Sequence, residues 1–217
     1  MATLEELRDL VKSIIQDTSF TDDDVDQYLN DGVAEIAAGM DSAFGDFLIP
    51  PLPELFTIGT VTTDVSEAYV AMPATFDRAL VFAADGSGIE VDISNSWIEF
   101  AESNPLLDRS GTIHEVIEQG GNLYYQGIPT AAETVTVHFY RLPVAMSLDA
   151  STPDGIPLAM QKKLLVSYAC KEIFSLIEDG IEGQQINTAK HTALFTRALK
   201  TLEMSIPADT RSMFLGD

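Results

Sequence analysis

The sequence predicts an α+β fold. Two N-terminal and two C-terminal helices make a four-helix body, and an antiparallel β-sandwich or small barrel is inserted between them. Three observations lead there. Apolar residues recur at helical spacing over residues 3–39, and again from Pro157 to Met204. Between them, residues 55–146 break into short runs rich in Val, Ile, Thr, Tyr and Phe, separated by Gly and Asp. The expected division is therefore 1–42 with 156–204 as helical body, 43–155 as β insert, and 205–217 as tail.

The first helix is announced by Thr3-Leu4-Glu5-Glu6, a capping box in which the threonine and the glutamate satisfy each other's backbone donors. Leu4, Leu7, Leu10, Val11, Ile14 and Ile15 follow as its apolar stripe. A second box begins at Thr21 with Asp24 in the acid position. Asp22 and Asp23 fill a first turn where the helix dipole favours negative charge. Val25, Tyr28, Leu29, Val33, Ile36 and Ala37 form the second stripe, which stops near Gly39. The short link between the two predicts an antiparallel pair.

From Ala43 to Pro53 the chain reads as a rigid strut, because Pro50, Pro51 and Pro53 favour an extended path. A proline-rich ligand for another domain is the functional alternative for that stretch. Seven strand-like runs then follow, with hairpin turns at Asp85-Gly86-Ser87-Gly88 and Gly120-Gly121-Asn122. One helical turn, Asn95 to Ala101, interrupts them, and its Trp97 and Phe100 are expected to plug one end of the sheet. A polar loop, residues 147–155, returns the chain to Pro157, expected at the start of the third helix.

That helix carries only a thin polar stripe of Lys163, Ser167, Lys171, Ser175 and Glu178. The rest of its circumference is apolar, so several neighbours must cover it. After the break at residues 178–183, the last helix repeats Ile186, Ala189, Ala193, Leu194, Phe195, Ala198, Leu199 and Leu202 as its packing face. The two make a helical hairpin that the rest of the chain must pack against.

Charge is the most informative total. Thirty-four acids stand against 12 bases, a net charge of −22. Residues 156–217 hold seven of each, so the whole excess lies in residues 1–155. A nucleic-acid binder needs clustered Lys and Arg, and this distribution disfavours one. No run approaches the roughly 20 apolar residues of a membrane span. The N-terminus MATLEELRDL has neither the basic nor the apolar region of a secretory signal. The single cysteine, Cys170, lies among apolar residues and reads as a buried, inert thiol.

No catalytic, cofactor or metal constellation emerges. Asp22, Asp24 and Asp26 suggest a calcium loop, but that loop wants glycine and glutamate where Gln27 and Val33 stand. His114, His138 and His191 share no ligand spacing. Gly86-Ser87-Gly88 lacks the lysine and the following helix of a phosphate loop.

The order of elements and several landmarks resemble the adaptor family of tailed-phage head–tail connector proteins. The carrying stretches are Phe20 to Gly32, Tyr69 to Arg78, Val137 to Pro143, and Ile156 to Ile173. Ala189, Phe195, Ala198 and Leu199 complete the set on the last helix. His191 departs from the pattern, standing near where relatives often carry an aromatic residue. The resemblance implies a structural virion protein, not an enzyme, that needs no cofactor. It implies a ring, commonly dodecameric, docked beneath the portal protein at the head–tail interface and joined to a tail or neck protein below. Genomic DNA passes through the lumen without specific binding, and no membrane is involved. Assembly is expected in the host cytoplasm. The acidic excess then suits a conduit that repels phosphates. Lys163 and Lys171 become candidates for subunit or portal contact, and Met213, Phe214 and Leu215 for docking into the portal.

Three other readings compete. A neck, stopper or tail-completion protein would sit one layer lower in the same structure. A binding module recognising carbohydrate or a receptor would present exposed aromatics, for which Tyr124 and Tyr125 are the evident candidates. A hydrolase would use the scattered carboxylates and would show turnover and a deep acidic pocket.

Overall fold

The computed structural model describes residues 1–41, 48–179 and 185–206. Helices α1 (Leu4–Ile15) and α2 (Asp22–Ala37) lead into the short strands β1 (Met40–Asp41) and β2 (Leu48–Ile49). Strands β3 (Phe56–Thr62), β4 (Tyr69–Ala71), β5 (Phe76–Ala84) and β6 (Glu90–Ile93) follow. Helix α3 (Trp97–Ser103) precedes β7 (Glu115–Gln119), β8 (Asn122–Tyr125) and β9 (Thr134–Arg141). Helices α4 (Gln161–Glu178) and α5 (Ile186–Ser205) complete the α+β fold. The chain divides into two compact units, Met1–Leu55 with Pro143–Asp217, and Phe56–Leu142. Residues 48–55 and 143–155, which the sequence places with the insert, thus belong with the helices.

In the helical unit, α1 buries Leu4, Leu7, Val11 and Ile15, each worth about 1.5–3 kcal/mol of transfer free energy. Leu10 and Ile14, expected on the same stripe, are exposed. Arg8 forks onto Asp26 at 2.7 and 2.6 Å and also reaches Asp149 at 2.9 Å. Lys12 pairs with Asp22, so α1 and α2 run antiparallel, as expected from the short link. Thr21 and Asp24 form the full reciprocal box. At Thr3 the side chain accepts from the Glu6 N–H, while the Glu6 carboxylate reaches Lys162 on α4 at 3.1 Å.

Of the expected strut, residues 43–47 lie outside the described residues, and the rest does not lead away from the helices. Met40 pairs with Ile49 in a short antiparallel ladder, which brings the prolines onto the helices. Gly39 permits this with φ +91°, and a Cβ there would lie 2.8 Å from the Ile49 carbonyl oxygen. Ile49, Pro50, Pro51 and Leu52 are buried, which removes the stretch as a ligand for another domain. The return loop is fastened by Asn30, whose amide group exchanges two hydrogen bonds with the Met146 backbone, at 3.0 and 2.8 Å. Pro157 lies in a turn ahead of α4, which begins four residues later, at Gln161.

Helix α4 buries Leu164, Leu165, Tyr168, Ala169, Cys170, Ile173 and Phe174, as its near-continuous apolar surface requires. Helix α5 starts without a side-chain cap of its own. Instead the Glu178 carboxylate of α4 accepts from the N–H groups of Asn187 and Thr188, both at 3.0 Å, and so caps it. These bonds hold the Glu178 pKa below the usual carboxylate range, the Thr188 hydroxyl being the largest cause.

In the second unit all seven strands lie in one curled sheet, in the order β3-β9-β5-β6-β7-β8-β4. It is a half-barrel rather than a sandwich, and it is mixed. Asp92 pairs with Glu115 and Ile93 with Val116 in parallel, because the crossover through α3 returns the chain to the same end. The remaining neighbours are antiparallel. The inner face gathers Ala83, Val91, Val116, Leu123, Tyr125, Val135, Val137 and Phe139. Gly120 and Gly121, with φ +62° and +79°, make the β7–β8 turn. Phe100 is buried, and Trp97 packs on Phe100 and edge-on against Tyr124, which stands on the face of β8 opposite the core residue Tyr125.

Candidate interaction surface

The polar stripe of α4 and the outer side of α5 meet in a groove of about 450 Å³. Lys163 and Ser167 line one wall, and Leu194, Arg197, Ala198 and Thr201 the other. A second depression continues along α5 over Arg197, Lys200 and Met204. The surface arises because α5 buries only half of the apolar residues expected on its packing face. Phe195, Ala198, Leu199 and Leu202 face inward. Ile186, Ala189, Ala193 and Leu194, which the periodicity assigns to the packing face, are exposed instead, Ile186 at 65% and Leu194 at 43%. Met204 is 72% exposed at the other end.

Basic residues interleave with these apolar ones. Lys190, Arg197 and Lys200 are exposed along α5, and Lys163 faces them from α4. Among the described residues, Lys163, Arg197 and Lys200 form no ion pair. An apolar floor with unpaired cations suits a protein surface that carries carboxylates, since the floor supplies burial and the cations supply orientation. The neighbouring helix α2 has the opposite character: Asp22, Asp23, Asp24, Asp26, Asp31 and Glu35 lie along it with no base.

The residues picked from sequence separate. Lys163 lines the groove. Lys171, two turns further along α4, is held inside the hairpin. It pairs with Glu172 at 2.6 Å, and its ammonium lies 4.9 Å from the Tyr168 ring centre and 5.3 Å from that of Phe195. Met213, Phe214 and Leu215 lie outside the described residues. Arg197, Lys200 and Leu194 were missed. Their signal was the alternation of Lys or Arg with apolar residues at helical spacing on α5, which also fits an ordinary packing face.

Further along the hairpin His191 takes the aromatic role that the resemblance put in question. It is buried and stacked on Phe174, with ring centres 5.4 Å apart and planes 23° apart. Its Nδ1 has no hydrogen-bond partner among the described residues. Burial, then nearby Lys190, lowers its pKa and keeps the ring neutral.

Tyr125, a candidate for surface recognition, is a core residue. Its hydroxyl donates to the Glu67 carbonyl at 2.9 Å and accepts from the Asp64 N–H at 3.1 Å. Tyr124 is half-buried between Tyr69 and Trp97. The acids that suggested a calcium loop are engaged elsewhere: Asp22 with Lys12, Asp24 in the cap and Asp26 with Arg8. Among the described residues, no helix is long and apolar enough to cross a membrane.

A family model described as SU10 adaptor protein matches residues 2–215, which takes in both units and the hairpin together. Comparison with the curated proteins gives no match. The matched family consists of phage adaptors, a structural family rather than an enzyme family. The chain therefore belongs to the SU10 adaptor protein family.

Proposed function

We propose that this chain is the head–tail adaptor of a tailed phage. Copies assemble as a ring, dodecameric in the virion, beneath the portal protein, extend its DNA channel, and present a lower rim to a tail or neck protein. The observation that carries this reading is the family match over residues 2–215. The charge distribution supports it. A net charge of −22 lets DNA pass without arrest where the acids of residues 1–155 line the lumen. The groove between α4 and α5 supports it as well, because an apolar, basic face is a natural contact for an acidic neighbour. Met213, Phe214 and Leu215 dock into the portal in this reading.

Portal binding tests it directly. The full chain mixed with portal rings should co-sediment, and a chain lacking residues 205–217 should not. A full chain that ignores the portal contradicts the reading. Retained binding by the shortened chain removes the tail from it. A basic or neutral lumen in the assembled ring would remove the repulsion argument alone.

A further inference from the structure

We propose that the groove between α4 and α5 receives the acidic helix α2 of a second copy of this chain. This deepens the ring reading above and rests on it. Three observations carry it. The groove is lined by α4 and α5 alone, so one molecule can offer its α2 and its groove at the same time. Two different patches on one chain make a head-to-tail contact, the kind that closes into a ring. The charges are opposite, and among the described residues neither Asp23, Asp31 and Glu35 nor Lys163, Arg197 and Lys200 form an ion pair. Asp23, Asp31 and Glu35 are exposed, and Asp31 and Glu35 repel one another across one helical turn. Glu35 has only the Tyr168 hydroxyl, at 2.5 Å, as its described partner.

The spacings also correspond. Asp23, Asp31 and Glu35 are separated by about 12 and 6 Å along α2 at 1.5 Å per residue. Lys190, Arg197 and Lys200 are separated by about 10.5 and 4.5 Å along α5. Long basic side chains absorb that difference. The order matches when the two helices run parallel, with Asp23 by Lys190, Asp31 by Arg197 and Glu35 by Lys200. Gln27 of α2, exposed between Asp23 and Asp31, then faces the apolar floor at Leu194.

The test uses charge exchange in the full chain, read as incorporation into virions and as ring formation on portal complexes. D31K with E35K, and separately R197E with K200E, should each reduce ring incorporation at least tenfold. Combining all four should restore at least half of it. Unchanged incorporation of either reversed variant overturns the proposal. So does a combined variant that stays defective while melting like the parent. Loss of DNA retention with R197E and K200E, and no effect of D31K with E35K, overturns it in favour of a nucleic-acid contact. Because a reversed variant can misfold, D31C with R197C gives a second measurement. Mild oxidation of assembled rings should yield a ladder of linked copies, and its absence overturns the proposal. A ring built through other surfaces removes this contact only, whereas virions with no ring of this chain remove the ring reading itself.

Discussion

Tyr168 donates its hydroxyl hydrogen to Glu35 over 2.5 Å and thereby ties α4 to the acidic helix α2. The same ring lies against Gly32, where an added Cβ would sit 2.8 Å from Cδ1. Two opposing effects meet in Gly32→Ala. Alanine gains about 1 kcal/mol of helix propensity, but overpacking a rigid, buried ring costs about 1–3 kcal/mol. Packing wins, because the obstructing atoms belong to a ring fixed on both sides and not to a flexible chain end. We expect G32A to lower the urea midpoint with an unchanged slope. Tyr168→Phe, which removes only the hydroxyl, should cost about 1 kcal/mol.

Arg8 is the hub between α1, α2 and the return loop, through Asp26 and Asp149. Its guanidinium is largely covered, and the bond to Asp26 is the main cause that raises its already high pKa. Arg8→Met keeps the stem and leaves Asp26 unpaired. A destabilisation of about 1–3 kcal/mol is expected by thermal melting, the upper end being limited by the exposure of Asp149.

His191 sets a pH dependence. Its pKa in the fold lies below the ordinary 6.5, so the unfolded chain takes up the proton more readily. Stability is full above about 6.5 and is lost as pH falls below it. Glu178, also depressed, adds its loss only as pH falls below the ordinary carboxylate value of 4.5. The melting curve should therefore decline in two separated steps. His191→Phe, which keeps the stack on Phe174, should flatten the upper step and leave the lower one. A wild-type slope in H191F between pH 5 and 7 would show that another group is responsible.

Cys170 is fully buried, and burial pushes its thiol up to about 12. In native buffer at pH 8 it should resist alkylation by iodoacetamide, and it should react at once in urea. Labelling in the native state at the rate of a free thiol would mean that the α4 core opens locally.

Much of this architecture was legible because short-range periodicity decides it. The helix stripes ending at Ile15 and Ala37, the Thr21 box and all seven strand runs follow from residues a few positions apart. What escaped was set by distant partners. The parallel pairing of Asp92 with Glu115 depends on where α3 returns the chain, which no local pattern encodes. The Met40–Ile49 pairing lays Pro50 and Pro51 into buried positions instead of a strut, on the strength of a two-residue ladder. Neighbouring Tyr124 and Tyr125 differ only by the face of the sheet, so one residue of register separates a half-exposed ring from a core hydroxyl. On α5, Ala189, Ala193 and Leu194 are apolar enough to be core. Only the position of α4 shows that Phe195, Ala198 and Leu199 are covered and these three are not. For the same reason Lys163 and Lys171 looked equivalent, although one lines the groove and the other lies over aromatic rings.

The central claim is that this chain forms the ring joining head to tail. Cryo-EM reconstruction of the head–tail junction in virions that carry it tests that most directly. The account predicts density for a closed ring of this chain in contact with the portal, its groove between α4 and α5 covered and DNA running through its lumen. Density for the chain as single copies, or one layer below with another protein against the portal, would contradict it.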